Sequence, residues 1–384
     1  MSNHNSKKRK RTVVIHQPEN GVDTSKPTAV FTPKKGRSHT LSIAIPGSIV
    51  TKYDAITFER KTALASSIAR ASAVFNVDEI VIFNDGQTPE PRTPHTTGSQ
   101  RAPSSGDTDP NEFLYHVLSY LECPPYLRKP LFPMHENLRL AGTMPSLDMP
   151  HHLKPDEWCQ YREGVTLGPV DPPQHTKKRS KHSSASAAPS SPTTTTVDCG
   201  LPINPTIPVS LPPNTRVTLK FPTPAPPDYN TERELAADAV SPDTPREEAG
   251  YYWGYSTRLA PSLSAVFTEC PYGGGYDVGV GTSERGVPLP SFLSSSLHAA
   301  QDAPAEFPAE WRHLVLVFGG VAGLEAALAA DRELLDGGVE EVRDVFDYWV
   351  NVLPGQGSRT IRTDEAVWIG LMGFRGLVSA REEA

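Results

Sequence analysis

Apolar residues in this chain gather in short runs, separated by long polar stretches rich in proline, and the runs follow two periods. Thr40-Leu41-Ser42-Ile43-Ala44-Ile45 alternates and is β-branched, which predicts a strand stopped by Pro46-Gly47. Residues 56–75 carry Leu64, Ile68, Ala71 and Phe75 at helical spacing. Residues 78–84 hold a continuous apolar core, the pattern of a strand buried on both faces. Strand, helix and strand on short connections predict a parallel pair with a right-handed crossover. A further helix is predicted over 112–121, and strands over 263–267, 276–280 and 313–318. The last of these runs into Gly319-Gly320 and a helical stretch from Val321. A final alternating run, 346–353, breaks at Pro354-Gly355-Gln356-Gly357 and gives way to a helical pattern over 363–372.

Between these α/β segments the pattern changes. Short strand-like pieces near 162–166, 197–200, 215–220 and 251–255, separated by turn residues, predict a small β-barrel. Tracts of low complexity read as a disordered insertion at 86–109 and as long loops at 171–196 and 221–248. Residues 287–309 form another Pro/Ser-rich excursion. The expected organisation is a disordered basic tail (1–37) and one α/β domain in two parts, 38–155 and 258–384. The barrel, 156–257, splits that domain.

Composition narrows the function classes. With 39 prolines and 28 glycines in 384 residues, much of the length is not core. The net charge of −7 leaves no global basic field, so binding to a polyanion has to come from local patches. Arg162, Arg216, Lys220 and Arg258 near aromatic residues make the barrel the expected place for a polyanion to land. Lys7-Lys8-Arg9-Lys10-Arg11 reads as a nuclear-import signal or a phosphate-binding arm. Cys123, Cys159, Cys199 and Cys270 form no CxxC pair, which suits a reducing compartment and argues against zinc. His151 and His152 are adjacent and lack the spacing of a helical metal pair; capping or RNA contact remains, and no metal is expected. No apolar run reaches membrane-spanning length, so a soluble intracellular protein is expected. In the aromatic run Tyr251-Tyr252-Trp253, core packing is favoured over base stacking. The two strand–glycine–helix turns could offer backbone N–H groups to a ligand. Neither matches a phosphate cradle, because GGVAG lacks the Lys-Ser/Thr of a P-loop and GxGxxG is absent.

Taken in order, several segments resemble the SPOUT RNA methyltransferases, in the eukaryotic and archaeal branch that carries a β-barrel insert. They are His39–Pro46, Ile68–Ala71 with Val77–Val81, His151-His152, Tyr161–Val165, Tyr252–Tyr255, Gly279–Gly286, Phe318-Gly319-Gly320 and Pro354–Arg362. The resemblance implies a trefoil-knot α/β fold interrupted by an OB-like barrel, with S-adenosylmethionine gripped by three loops. On this chain the implied cofactor-binding residues are Thr282, Phe318, Gly319, Gly320, Asn351, Leu353, Pro354, Gly355, Gly357, Ser358 and Thr360. The implied substrate is ribosomal RNA, with uridine N3 as the target atom. A guanidinium beside the base would stabilise the anion left when N3 loses its proton. Arg285 and Arg359, then Arg362, are the candidates, with Glu284 the nearest carboxylate; a plain surface ion pair between Glu284 and Arg285 is the competing reading. Further implied are a homodimer or a heterodimer with a paralogue, pre-60S assembly factors as partners, and residence in the nucleus at the nucleolus. An alternative stays open: a catalytically silent assembly factor that binds pre-ribosomal RNA.

Overall fold

The structure is a computed structural model and describes residues 35–51, 57–87, 109–170, 194–297 and 307–383. The Lys7–Arg11 cluster, most of the 86–109 insertion and residues 171–193 lie outside the described residues. The first part of the chain supplies β1 (Thr40–Pro46), α1 (Phe58–Val74), β2 (Glu79–Phe83), α2 (Pro110–Glu122) and the short α3 (Arg128–Leu131). Thr57 caps α1 by accepting from Arg60 N, and Asp109 followed by Pro110 opens α2 in the same way.

Five strands then form an antiparallel unit: β3 (Tyr161–Val170), β4 (Thr194–Asp198), β5 (Thr206–Ile207), β6 (Arg216–Lys220) and β7 (Asp238–Val240). Their order is β5-β4-β3-β6-β7, and Thr206 exchanges backbone bonds with Leu235 and Ala237 at the far edge. The sheet therefore nearly closes on itself around Val197, Ile207, Leu219 and Leu235.

The chain continues through α4 (Thr244–Ala249), β8 (Ser256–Ala260), α5 (Leu263–Thr268), β9 (Val278–Pro288) and α6 (Leu289–Leu297). It ends with β10 (His313–Val317), α7 (Gly323–Ala330), α8 (Arg332–Asp336), β11 (Tyr348–Asn351) and α9 (Thr363–Glu383). Strands from both parts join one parallel sheet in the order β11-β9-β10-β1-β2-β8. Ile43, Ile80 and Leu316 face a core with α1, α2 and α9; Ala44, Val81 and Val315 face a second core with α5 and α7. Helices on both faces are why β2 and β10 read as apolar runs, and why even the alternating β1 is buried throughout.

Several expectations are corrected. Residues 263–267 form a helix, not a strand: Ser262 caps it by accepting from Ala265 N, and an apolar run this short does not reveal its period. Residues 251–255 form no strand of the barrel. The Tyr252 hydroxyl donates to Val77 O (2.9 Å) and that of Tyr255 to Leu118 O (2.9 Å), which fixes the run in the main core. Residues 256–257, expected in the barrel, begin β8 at the edge of the parallel sheet. The 221–248 tract is not a structureless loop, since it holds β7, most of α4 and the buried Leu235 and Ala237. Thr194–Thr196 belong to β4, and α6 occupies the start of the 287–309 excursion. Arg37, expected in the disordered tail, is bound to Asp78 at 2.6 Å.

Candidate cofactor cavity and active site

In open parallel sheets, ligands sit beyond the carboxyl ends of the strands. Here a cavity of about 490 Å³ opens where β10 and β11 end beside the middle of β9. Its walls are residues 282–285 of β9, the turn 318–323 between β10 and α7, and the segment 351–363 leading into α9. The 281–286 stretch, expected as a loop, is part of strand β9, which pairs with β11 through a register shift between Trp349 and Val350. Two glycines permit that approach: a Cβ would lie 2.5 Å from the Trp349 ring at Gly281, and 2.4 Å from Val350 C at Gly286.

Side chains tie the walls together. Thr282 Oγ1 donates to Val317 O (3.0 Å), and Thr363 Oγ1 donates to Gly319 O (2.9 Å). Asn351 Nδ2 donates to Glu284 O (2.9 Å), and Asn351 Oδ1 accepts from Leu353 N (3.0 Å). The Gly319-Gly320 turn is closed by Gly323 N donating to Gly320 O (3.0 Å).

Of the residues singled out from sequence, Thr282, Phe318, Gly319, Gly320, Asn351, Leu353 and Thr360 line this cavity, as do Glu284, Arg285 and Arg359. Pro354, Gly355, Gly357 and Ser358 do not; they form the exposed tip of the loop, where a Cβ on either glycine would meet nothing within 4 Å. Arg362 also stays off the wall, with its backbone N–H capped by Glu365. Val352, expected beside Leu353 as an apolar wall, and Gln356, inside the expected 351–360 loop, line it too; sequence reasoning missed Glu325, Ile361, Thr363 and Ala366. Glu325 had a visible signal, an acidic residue in the first turn of the helix after a glycine turn.

Glu284 and Arg285 do not pair with each other. Arg285 reaches Glu325 at 3.4 Å with both side chains largely exposed. Arg359 is exposed and has no ion pair among the described residues. The cavity thus combines apolar walls (Phe318, Val352, Leu353, Ile361), backbone groups of a glycine turn, and charges of both signs at its rim. Among the described residues no cluster of His, Cys, Asp and Glu could hold a metal, and no helix is long and apolar enough to cross a membrane.

Among the described residues, the four cations expected to give the barrel a basic patch are each committed to a partner within the fold. Arg162 is fully buried and donates to Cys199 O (2.7 Å), Glu157 O (2.9 Å) and Lys154 O (3.0 Å). Arg216 grips Glu122 with two bonds (2.6 and 3.0 Å) and Glu163 with a third (2.7 Å). Lys220 pairs with Glu248, and Arg258 with Glu79 at 2.9 Å. His151 is buried with Nε2 2.9 Å from Glu122 Oε1, and His152 Nε2 lies 2.7 Å from Glu122 O, so the pair packs inside and makes no outward contact surface of His151. Burial alone would raise the Glu122 pKa, but Arg216 and His151 outweigh it and hold the carboxyl well below the usual range. Burial, then His151, lowers His152 to about 3.

Known proteins share this chain's sequence over most of its length. The family model described as "Putative RNA methyltransferase" matches residues 40–374, from β1 into α9. The 28S rRNA (uridine-N(3))-methyltransferase of Homo sapiens is 41% identical over 348 residues, covering 90% of this chain and 81% of that protein. The protein of the same name in Mus musculus is 41% identical over 345 residues, 89% and 77% of the two chains. That of Drosophila melanogaster is 39% identical over 346 residues, 89% of this chain and 63% of its own length. The match runs through both parts of the parallel sheet, the barrel-like insert and all three cavity walls, and the chain belongs to this family of RNA methyltransferases.

Proposed function

We propose that the chain methylates N3 of a uridine in ribosomal RNA, with S-adenosylmethionine as donor, in the cavity bounded by β9, the 318–323 turn and the 351–363 segment. The observation that carries this is the cavity itself, in a chain whose relatives are named for that reaction. Its volume of about 490 Å³ falls in the range of small-molecule sites. Phe318, Val352, Leu353 and Ile361 suit an adenine face, and the glycine turn offers backbone groups to its polar edge. Glu284, Arg285, Glu325 and Arg359 offer both signs of charge to an amino-acid tail and a sulfonium.

When bound, S-adenosylmethionine supplies an electrophilic methyl carbon on sulfur. The chain's own residues would hold the uridine with N3 facing that carbon, which is the orientation methyl transfer requires. Glu284, exposed at the rim, takes the N3 proton. Arg359, which has no ion pair among the described residues, and Arg285 stabilise the negative charge that develops on the uracil oxygens.

The same proposal includes the SPOUT trefoil knot formed by the segment from β11 into α9. Supporting it, the last helix of the chain is not peripheral: Val367, Leu371 and Phe374 are buried in the core it shares with α1, and Thr363 is bonded to the Gly319 turn. Dimerisation, nucleolar residence and action on large-subunit precursors rest on the resemblance; the division of one α/β domain by an insert rests on the hydrophobic pattern, with residues 251–257 on the parallel-sheet side. The test is calorimetric titration with S-adenosylmethionine, followed by single-turnover methylation of ribosomal RNA and mass mapping of the product. Saturable binding and 3-methyluridine are expected. No binding, or a methyl on another atom, overturns the assignment.

A further inference from the structure

We propose that Asn351 is a positioning residue that places the Glu284–Arg285 wall for methyl transfer, and that its amide does so by joining two walls of the cavity. This rests on the cavity being the transfer site. The side chain uses both ends of its amide within the protein: Nδ2 donates to Glu284 O (2.9 Å), and Oδ1 accepts from Leu353 N (3.0 Å). The opposite orientation would set oxygen against oxygen and N–H against N–H, so the partners fix which end is which. An amide is the neutral group of this length that donates and accepts at once.

The consequence is local. The Glu284 carbonyl belongs to the peptide that leads into Arg285, and Arg285 N in turn donates to Ser283 Oγ (3.2 Å). Across the cavity the Arg285 guanidinium meets Glu325 at 3.4 Å, an exposed pair, and has no other ion pair among the described residues. An exposed pair of this kind fixes little by itself. The backbone is therefore what aims Arg285, and Asn351 is the side chain from another element that holds that backbone. Asn351 also lines the cavity. One Nδ2 hydrogen and one Oδ1 lone pair are thus spent within the protein, which gives the side chain a positioning part in the site.

Asn351→Asp separates the two bonds. A carboxylate still accepts from Leu353 N but cannot donate to Glu284 O, and it sets two oxygens against each other there. Single-turnover transfer should slow by about tenfold to a hundredfold, the scale on which small misplacements act. S-adenosylmethionine affinity by calorimetry should change by less than about threefold, because the Leu353 side of the wall is kept. The decisive readout is a double-mutant cycle with Arg285→Ala. If Asn351 works through Arg285, Asn351→Asp adds little to the loss already caused by Arg285→Ala. Losses that multiply, or an Asn351→Asp variant as fast as the unmodified protein, overturn the proposal. Hydrogen exchange gives a local check: Leu353 N–H stays protected in Asn351→Asp and loses protection in Asn351→Ala. If Asn351→Asp does not fold, Asn351→Ala carries the same cycle. An unmodified protein that fails to bind S-adenosylmethionine sinks the cavity assignment instead, and that result appears before any substitution is made.

Discussion

The junction between the barrel-like insert and the parallel sheet uses charge in the opposite way from the cavity. At the junction, Glu122 from α2, Glu163 from β3 and Arg216 from β6 are in direct contact, with Trp253 Nε1 and Thr218 Oγ1 donating to Glu163 as well (2.7 and 2.6 Å). Both carboxylates are buried. At the cavity rim, Glu284 and Arg359 are exposed, and Arg285 has one loose partner. Charge out of water has to be paired, and once paired it fixes the relative placement of the elements that carry it. Charge at the rim stays available to a ligand. Counting Arg162, Arg216, Lys220 and Arg258 along the sequence therefore does not give the charge on offer, because each has a partner within the fold.

The largest expected effect breaks the first side of this contrast. Glu122→Ala removes two of three bonds to Arg216 and the partner of His151, and should cost about 3–5 kcal/mol in urea unfolding, as loss of one partner in a buried pair does. A loss under about 1 kcal/mol would mean the junction is solvated. Arg359→Ala is its counterpart: methyl transfer should fall by about a hundredfold, on the scale of losing one transition-state donor, with the unfolding midpoint unchanged. A fall in stability with transfer intact would reverse the contrast.

Gly320→Ala probes the cavity without touching charge. A Cβ there would lie 2.8 Å from Ser48 Oγ, a hydroxyl held by Asp85, so that hydroxyl or the turn has to shift, and S-adenosylmethionine affinity should drop by about tenfold in calorimetry. Equal affinity would place the cofactor away from this turn.

Acid sharpens the junction side. His39 and His152 are held neutral by burial, with pKa values lowered to about 4 and about 3. The unfolded chain takes up those protons from about pH 6.5 downward, so stability should decline below that point. Glu122, held ionised, contributes stability present above its unfolded value of about 4.3 and lost as pH falls below it, which should steepen the decline. Urea midpoints at pH 8, 6, 5 and 4 test the shape, and His152→Gln should flatten its upper part. The smallest effect is expected from Lys220→Ala. Its charge already faces Glu248 at the surface, so RNA affinity and its salt dependence should not change measurably. A shallower salt slope would restore the insert as a phosphate-contacting face.

The apolar runs of β1, β2 and β10 were legible because a strand covered on both faces needs apolar side chains on both, whatever else the fold does. The glycines at 281, 319 and 320 were visible too, and resemblance named ten of the residues that now line the cavity. Glu325 was overlooked because nothing near it in sequence shows that it faces Arg285, forty positions earlier. The helix at 263–268 was misread because six apolar-rich residues carry no decisive period. Likewise, the fate of Arg216 depends on a carboxylate 94 residues away, and that of Tyr252 on a carbonyl 175 residues away. Sequence by itself determined the buried strands β1, β2 and β10 and where the backbone can turn, since those follow from local pattern and glycine sterics. Only the tertiary structure decided which charges face solvent and which are paired, because a side chain's electrostatic partner is set by the packing of elements remote in sequence.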